Sequence, residues 1–190
     1  MSKFLANKFS GSLLLEEFSE NKFLKAFYEK GAFAIHAEIQ FLLDRSKQLT
    51  EFFELNHQFI ISDYFPGKSL IFSEMNLNAL EFQMVKSLHQ HLFVGVPKPE
   101  LLIFLDRSIE SLYQNIKLRN RPYEQNMDLE YLKKVHNSYE IWLAKLDLPI
   151  VRIDADSIDL RSPQLLVEKF DQLFQLDFPK KQRKVRLVNT

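Results

Sequence analysis

Short, nearly continuous apolar runs alternate along the chain with longer stretches in which apolar positions recur every three or four residues. The short runs are Ser12 to Leu15, Gln58 to Ile61, Leu101 to Leu105 and Ile150 to Ile153. Each reads as a strand covered on both faces, because a half-exposed strand would alternate instead. Among the longer stretches, Ala32 to Leu49 carries Ile35, Ile39, Leu42 and Leu43 on one face. Asn78 to Leu92 aligns Leu80, Met84 and Leu88, and Asp128 to Leu146 aligns Leu132, Tyr139, Trp142 and Leu146 before Pro149. These spacings predict amphipathic helices. Phe170, Leu173 and Phe174 add a last helix, with Ser162-Pro163 as its cap and first turn. The alternation predicts a doubly wound α/β protein, a parallel sheet with helices on both faces. No repeat or low-complexity linker interrupts residues 1–178, which read as one domain. Residues 179–190 read as a basic tail.

Every strand candidate runs into an acid: Glu16 and Glu17, Asp63, Asp106 and Asp154. In open α/β sheets the ligand crevice lies beyond the carboxyl ends of the strands, so Glu16, Asp63, Asp106 and Asp154 are expected along one rim. A carboxylate at Glu16 or Glu17 suits a general base toward a hydroxyl, or else charges the start of a helix from Asn21 onward. Asp63 and Asp106 suit Mg²⁺, which needs only one or two carboxylates, or serve as caps. The segment Lys117-Leu118-Arg119-Asn120-Arg121-Pro122 crowds three cations before a residue that cannot continue a helix. Planar guanidinium groups donate paired hydrogen bonds to phosphate, so this is either a lid over a phosphoryl group or a helix end decorated with cations.

Composition narrows the field. The chain has 190 residues, 18 of them Phe, with Lys plus Arg and Asp plus Glu balanced at 25 each. That balance removes the global basic excess of a dedicated nucleic-acid binder, so no nucleic-acid partner is expected. The five basic residues from Lys180 to Arg186 read as a solvated terminus, with a targeting or nucleic-acid patch as the alternative. No cysteine is present, which excludes disulfides, thiolate catalysis and Cys-ligated metals. The longest apolar stretch falls far short of the ~20 residues a membrane span needs, and residues 1–15 lack a signal-peptide core. A soluble, cytoplasmic protein is expected. His89 and His91 point to different faces of one helix, and all five histidines are read as structural. The four glycines, Gly11, Gly31, Gly67 and Gly95, nowhere form G-x-x-x-x-G-K-[ST] or G-x-G-x-x-G.

The string from Arg119 to Leu132, followed by His136, Tyr139 and Trp142, resembles the lid and following helix of the deoxynucleoside kinases, a family of P-loop kinases related to thymidylate kinase. Leu15 to Asn21, Phe41 to Leu49, Ser69 to Phe72 and Leu102 to Asp106 support the likeness, which runs from about Leu13 to Leu160. The resemblance implies transfer of the ATP γ-phosphate to the 5′-hydroxyl of a deoxynucleoside, with Mg²⁺, in a homodimer. It places Glu16 as general base, Arg119 and Arg121 over the phosphates, and Glu124 at the sugar. Glu38 and Arg45 fall where the family reads the base edge, Phe72 where an aromatic stacks on it, and Asp154 and Asp156 in the loop lining the donor adenine. Departures from the pattern are Asn120 for a lid glycine, Asn115 for a further arginine, and Ser62-Asp63-Tyr64 for Glu-Arg-Ser. Members begin with a strand and P-loop some twenty residues before Glu16, so the fold is expected to lack that first strand and phosphate cradle. Activity of the chain is then expected near background, with a noncatalytic nucleoside-binding relative or a subunit of a partner kinase as the alternative.

Overall fold

The apolar runs do become strands, and all of those strands pair in parallel. The computed structural model describes residues 1–17, 21–125, 127–157, 170 and 185–187. β1 (Ser12–Leu14) pairs with β2 (Ile60–Ser62), and β3 (Leu102–Asp106) with β4 (Ile150–Asp154). Two helices, α2 (Leu24–Lys30) and α3 (Ala34–Phe53), connect the first pair; α6 (Ile109–Arg119) and α7 (Leu129–Lys145) connect the second. Parallel neighbours require such crossovers. The expected α/β architecture is therefore what the chain adopts. Among the described residues the strands form two sheets rather than one, since no ladder joins β2 to β3.

One expectation needs correction. Val185–Leu187, assigned above to a tail, form β5 and pair in parallel with β4, with Val151 opposite Val185 and Ile153 opposite Leu187. Arg186 within it does not prevent this, because charge is well tolerated on a strand at the edge of the described sheet. Of the helix expected from Ser162-Pro163, only Phe170 lies within the described residues, where it is helical and buried.

Two cores hold the strands in place. Leu5 of α1 (Ser2–Lys8), Val151 and Ile153 of β4, and Phe170 form one, with Ile61 and Ile103 packed against it. Leu14, Leu49 and Tyr64 form the other. Burying such side chains stabilises the fold by about 1.5–3 kcal/mol each. α4 (Lys68–Asn76) packs on α3 and α7, and α5 (Ala79–Leu92) packs on α3 and α4. α5 starts at a capping box, in which Asn78 accepts from the Glu81 N–H and Glu81 accepts from the Asn78 N–H. At Gly67, just before α4, a Cβ would meet the Phe65 ring at 2.7 Å and Trp142 at 3.2 Å. A hydrogen in that place lets α4 start close beneath α7, which brings Lys68, Ser69 and Phe72 to the cavity described next.

Candidate active site

A cavity of about 1500 Å³ runs along β2 and β3 and on past their carboxyl ends, lined also from β1 and from α1, α2, α3, α4, α6 and α7. Pockets for one small ligand usually span roughly 300–1,000 Å³, so this one has room for a nucleoside beside a phosphate-bearing group. Glu16, Asp63 and Asp106 of the expected acidic rim line it; Asp154 does not.

Glu16 follows β1 by two residues, and its backbone N–H donates to Asp63 Oδ1 at 2.7 Å. That bond ties the ends of β1 and β2 together. The Glu16 carboxylate meets two cations. Arg45 donates to Oε1 through Nε at 3.0 Å and also through Nη2, while Lys68 Nζ donates to Oε2 at 2.7 Å. Burial pushes the Glu16 carboxyl up, but Lys68 and Arg45 together outweigh it and hold the group below the ordinary carboxylate range. Arg45 is buried, and it donates through Nη1 to Ser69 Oγ at 2.6 Å with its guanidinium 4.7 Å over the Phe41 ring. Lys68 is the more exposed partner, at 29% against 6% for the Arg45 side chain.

Deeper in, Glu38 is buried, accepting from Ser73 Oγ at 3.0 Å and from Asn76 Nδ2 at 3.4 Å. Burial pushes the Glu38 carboxyl above the ordinary carboxylate range, against smaller opposing effects of Ser73, Asn76 and Arg45. Phe72 stands edge-on to Tyr139, ring centroids 6.2 Å apart, and both line this end of the cavity. Burial, and then the negative charge of Glu16, push the Tyr139 hydroxyl well up, so it stays protonated.

The cationic segment forms a helix end decorated with cations, and its arginines line the cavity. Arg119 closes α6, and Asn120 caps it in the left-handed conformation (φ 53°), which asparagine adopts more readily than most residues. Arg119 and Arg121 then turn onto Glu124, with Arg119 Nη2 to Oε2 at 2.5 Å and Arg121 Nη1 to Oε1 at 3.3 Å. Glu124 itself is buried. All three line the same cavity as Glu16.

Asp154 and Asp156 are engaged elsewhere. Asp154 Oδ1 accepts from the Asp156 and Ser157 N–H groups in a tight turn. Asp156 accepts from Arg107 Nε at 3.2 Å and from the Ser108 N–H at 2.8 Å, anchoring the start of α6. Two features escaped the sequence reading. Lys68 was one of many surface-type lysines, with nothing in its neighbours to point it at Glu16. His136 and Glu140, four apart on α7, sit with Asp106 in a cluster whose ligand-type atoms all lie within 4.8 Å of one another. Arg152 fills that cluster, its Nε 2.7 Å from Asp106 Oδ2 and its Nη1 3.2 Å from Glu140 Oε2, so the two carboxylates already share one guanidinium.

A model of the deoxynucleoside kinase family matches residues 1–173. The chain belongs to the deoxynucleoside kinase family. Membership places it among ATP-dependent phosphotransferases, in accord with the expected fold and activity class. It is similar to a Bacillus subtilis deoxyguanosine kinase, 29% identical over 168 residues that cover 84% of this chain and 81% of the relative. A deoxyadenosine/deoxycytidine kinase of the same organism is 25% identical over 183 residues, covering 91% and 84%. In fold it resembles a deoxyadenosine kinase from M. mycoides solved with dCTP bound, with a TM-score of 0.74 and 20% identity over 90% of this chain and 91% of that one. The 190-residue sequence carries no G-x-x-x-x-G-K-[ST] segment of the P-loop kind. No described helix is long and apolar enough to cross a membrane.

Proposed function

We propose that the cavity is the acceptor site of a deoxynucleoside kinase, in which the 5′-hydroxyl of a deoxynucleoside meets Glu16 and its base lies toward Phe72 and Glu38. The observation that supports it most is that Glu16 and the pair Arg119 and Arg121 line one cavity, with an aromatic, largely apolar end beside them. In the reaction the 5′-oxygen bonds to the γ-phosphorus of ATP, the bond from that phosphorus to the β,γ-bridging oxygen breaks, and the hydroxyl proton passes to Glu16. Arg119 and Arg121 face the charge that spreads over the phosphoryl oxygens. Glu124 sets their positions and is within the same cluster at the sugar end. Arg45 holds Glu16 at its Oε1, and Glu38 offers a buried polar group to the base edge.

Mg²⁺ would neutralise charge on the phosphates when bound. The exposed carboxylate of Asp63 fits a role in holding it, because that ion needs few protein ligands. Asp154 and Asp156 remain candidates for the donor side through the turn they build. Leu80 and Met84 on α5, with Leu43 on the adjoining α3, are exposed apolar side chains on which a second copy would pair. The lack of cysteine fits a cytosolic setting.

A second reading is favoured by the two cations that weaken Glu16 as a base: a relative that binds nucleosides without transferring phosphate. Calorimetry of the 190-residue chain with the four deoxynucleosides and with ATP separates the two. Deoxynucleoside binding is expected in either case, and ATP binding only for the kinase. In a coupled assay the 190 residues alone are expected to turn over at background, and robust turnover would overturn that expectation. Failure of all four deoxynucleosides to bind would overturn the acceptor-site reading itself.

A further inference from the structure

A hydroxyl approaching Glu16 as a proton donor needs a free carboxylate oxygen. Oε1 is taken by two donors of the buried Arg45, which is fixed in turn by Ser69 and by the Phe41 ring. Only Oε2 remains, and the Lys68 ammonium holds it at 2.7 Å. The two cations differ in their freedom. Arg45 has three fixed partners deep in the fold, whereas Lys68 starts α4 on a flexible stem, is more exposed, and lines the cavity. When a 5′-hydroxyl takes Oε2, Lys68 is the group that gives way.

We propose that Lys68 moves from Glu16 Oε2 onto the phosphoryl group as that group arrives at the 5′-oxygen, making it a catalytic residue of this site. The inference rests on the acceptor-site reading above. Once Glu16 takes the proton, Arg45 and Lys68 face only Asp63, which is exposed and bonded to the Glu16 backbone, and this leaves a surplus positive charge at the spot where the phosphoryl lands. A neutral nucleoside does not use that surplus. A 5′-phosphate does, and it also restores a partner to Lys68 after Glu16 has taken the proton. A compact ammonium on a rotatable stem suits a group that must follow the phosphorus.

The test needs no turnover. Affinities for a deoxynucleoside and for its 5′-monophosphate are measured by calorimetry on the 190-residue chain, on Lys68→Met and on Lys68→Arg, with thermal melts to confirm folding. Wild type is expected to bind the monophosphate more tightly. Lys68→Met should weaken monophosphate binding by about tenfold to a hundredfold, the range of one charge-assisted hydrogen bond. Nucleoside binding should change less than about twofold by the same arithmetic, and Lys68→Arg should keep most of the monophosphate advantage. Equal weakening of both ligands would show a structural role only and overturn the proposal, as would no change in either. If Lys68→Met fails to fold, loss of the monophosphate advantage in Lys68→Gln decides in favour and its retention decides against. If wild type binds neither ligand, the acceptor-site reading falls first and takes the proposal with it.

Discussion

Replacing Arg45 with methionine tests how the reacting end of the cavity is held. The side chain is only 6% exposed, yet it supplies two hydrogen bonds to Glu16, one to Ser69 and a cation over Phe41. Methionine keeps most of the volume and loses all of the polarity. Stripping one member from a buried ion pair costs about 3–5 kcal/mol, because the remaining charge is left without its partner. Glu16 keeps Lys68 and is itself 16% exposed, so the lower end of that range, about 3 kcal/mol, applies. For a chain of this size 1 kcal/mol moves the melting temperature by roughly 2–4 °C, giving a fall of about 6–12 °C. Thermal denaturation followed by circular dichroism measures it. A double-mutant cycle with Glu16→Gln should return a coupling of about 1–3 kcal/mol, since the two residues share hydrogen bonds. A loss below about 1 kcal/mol, or strict additivity, would refute the claim that Arg45 and Glu16 act as one unit.

Other consequences are smaller. Asp128 accepts from the Tyr131 N–H at 2.6 Å as the cap of α7, so Asp128→Ala should cost about 1 kcal/mol in a denaturant titration. Asn120→Val should cost about 1–2 kcal/mol because a branched side chain resists the left-handed conformation there, while Asn120→Gly should leave stability near wild type by the same reasoning. Glu16 has a lowered folded value against an ordinary 4.5, so its stabilisation is full above 4.5 and is lost as pH falls through the folded value; Glu16→Gln should remove that acid limb from a stability profile. Glu38 has the opposite sign: its raised value favours the protonated fold, a contribution present in acid and lost as pH rises from 4.5 through the folded value, and absent in Glu38→Gln. Phe72→Ala should weaken deoxynucleoside binding by roughly one stacking interaction, about 1–3 kcal/mol by calorimetry.

The parallel strands were legible because a strand covered on both faces must be apolar throughout, and Leu101 to Leu105 and Ile150 to Ile153 fit no other soluble element well. The long helices were legible from their stripes. Two short elements carry weaker signals. α4 has Leu70, Ile71 and Phe72 in an unbroken run, so its period is hidden until α3 and α7 close on it. Val185–Leu187 joins β4 although the surrounding charge suggested solvent. The same limit governs the site. Glu16 and the Arg119 to Glu124 cluster announced themselves through charge placed at the ends of elements. Lys68 did not, because its meaning comes from the Glu16 carboxylate 52 residues away. The Asp106, His136 and Glu140 group was hidden for a like reason: its spacing on α7 is local, but Arg152, which decides its charge, comes from β4.

Calorimetric titration of a deoxynucleoside into wild type and into a variant whose cavity is narrowed, Ser69→Phe, tests the account most directly. Ser69 is buried between Arg45 and Ser73 on the cavity wall. One deoxynucleoside per chain should bind wild type, and binding should be lost in the variant while its helical spectrum persists. Undiminished binding to a folded Ser69→Phe protein, or no binding to wild type, would place the nucleoside outside this cavity and contradict the account.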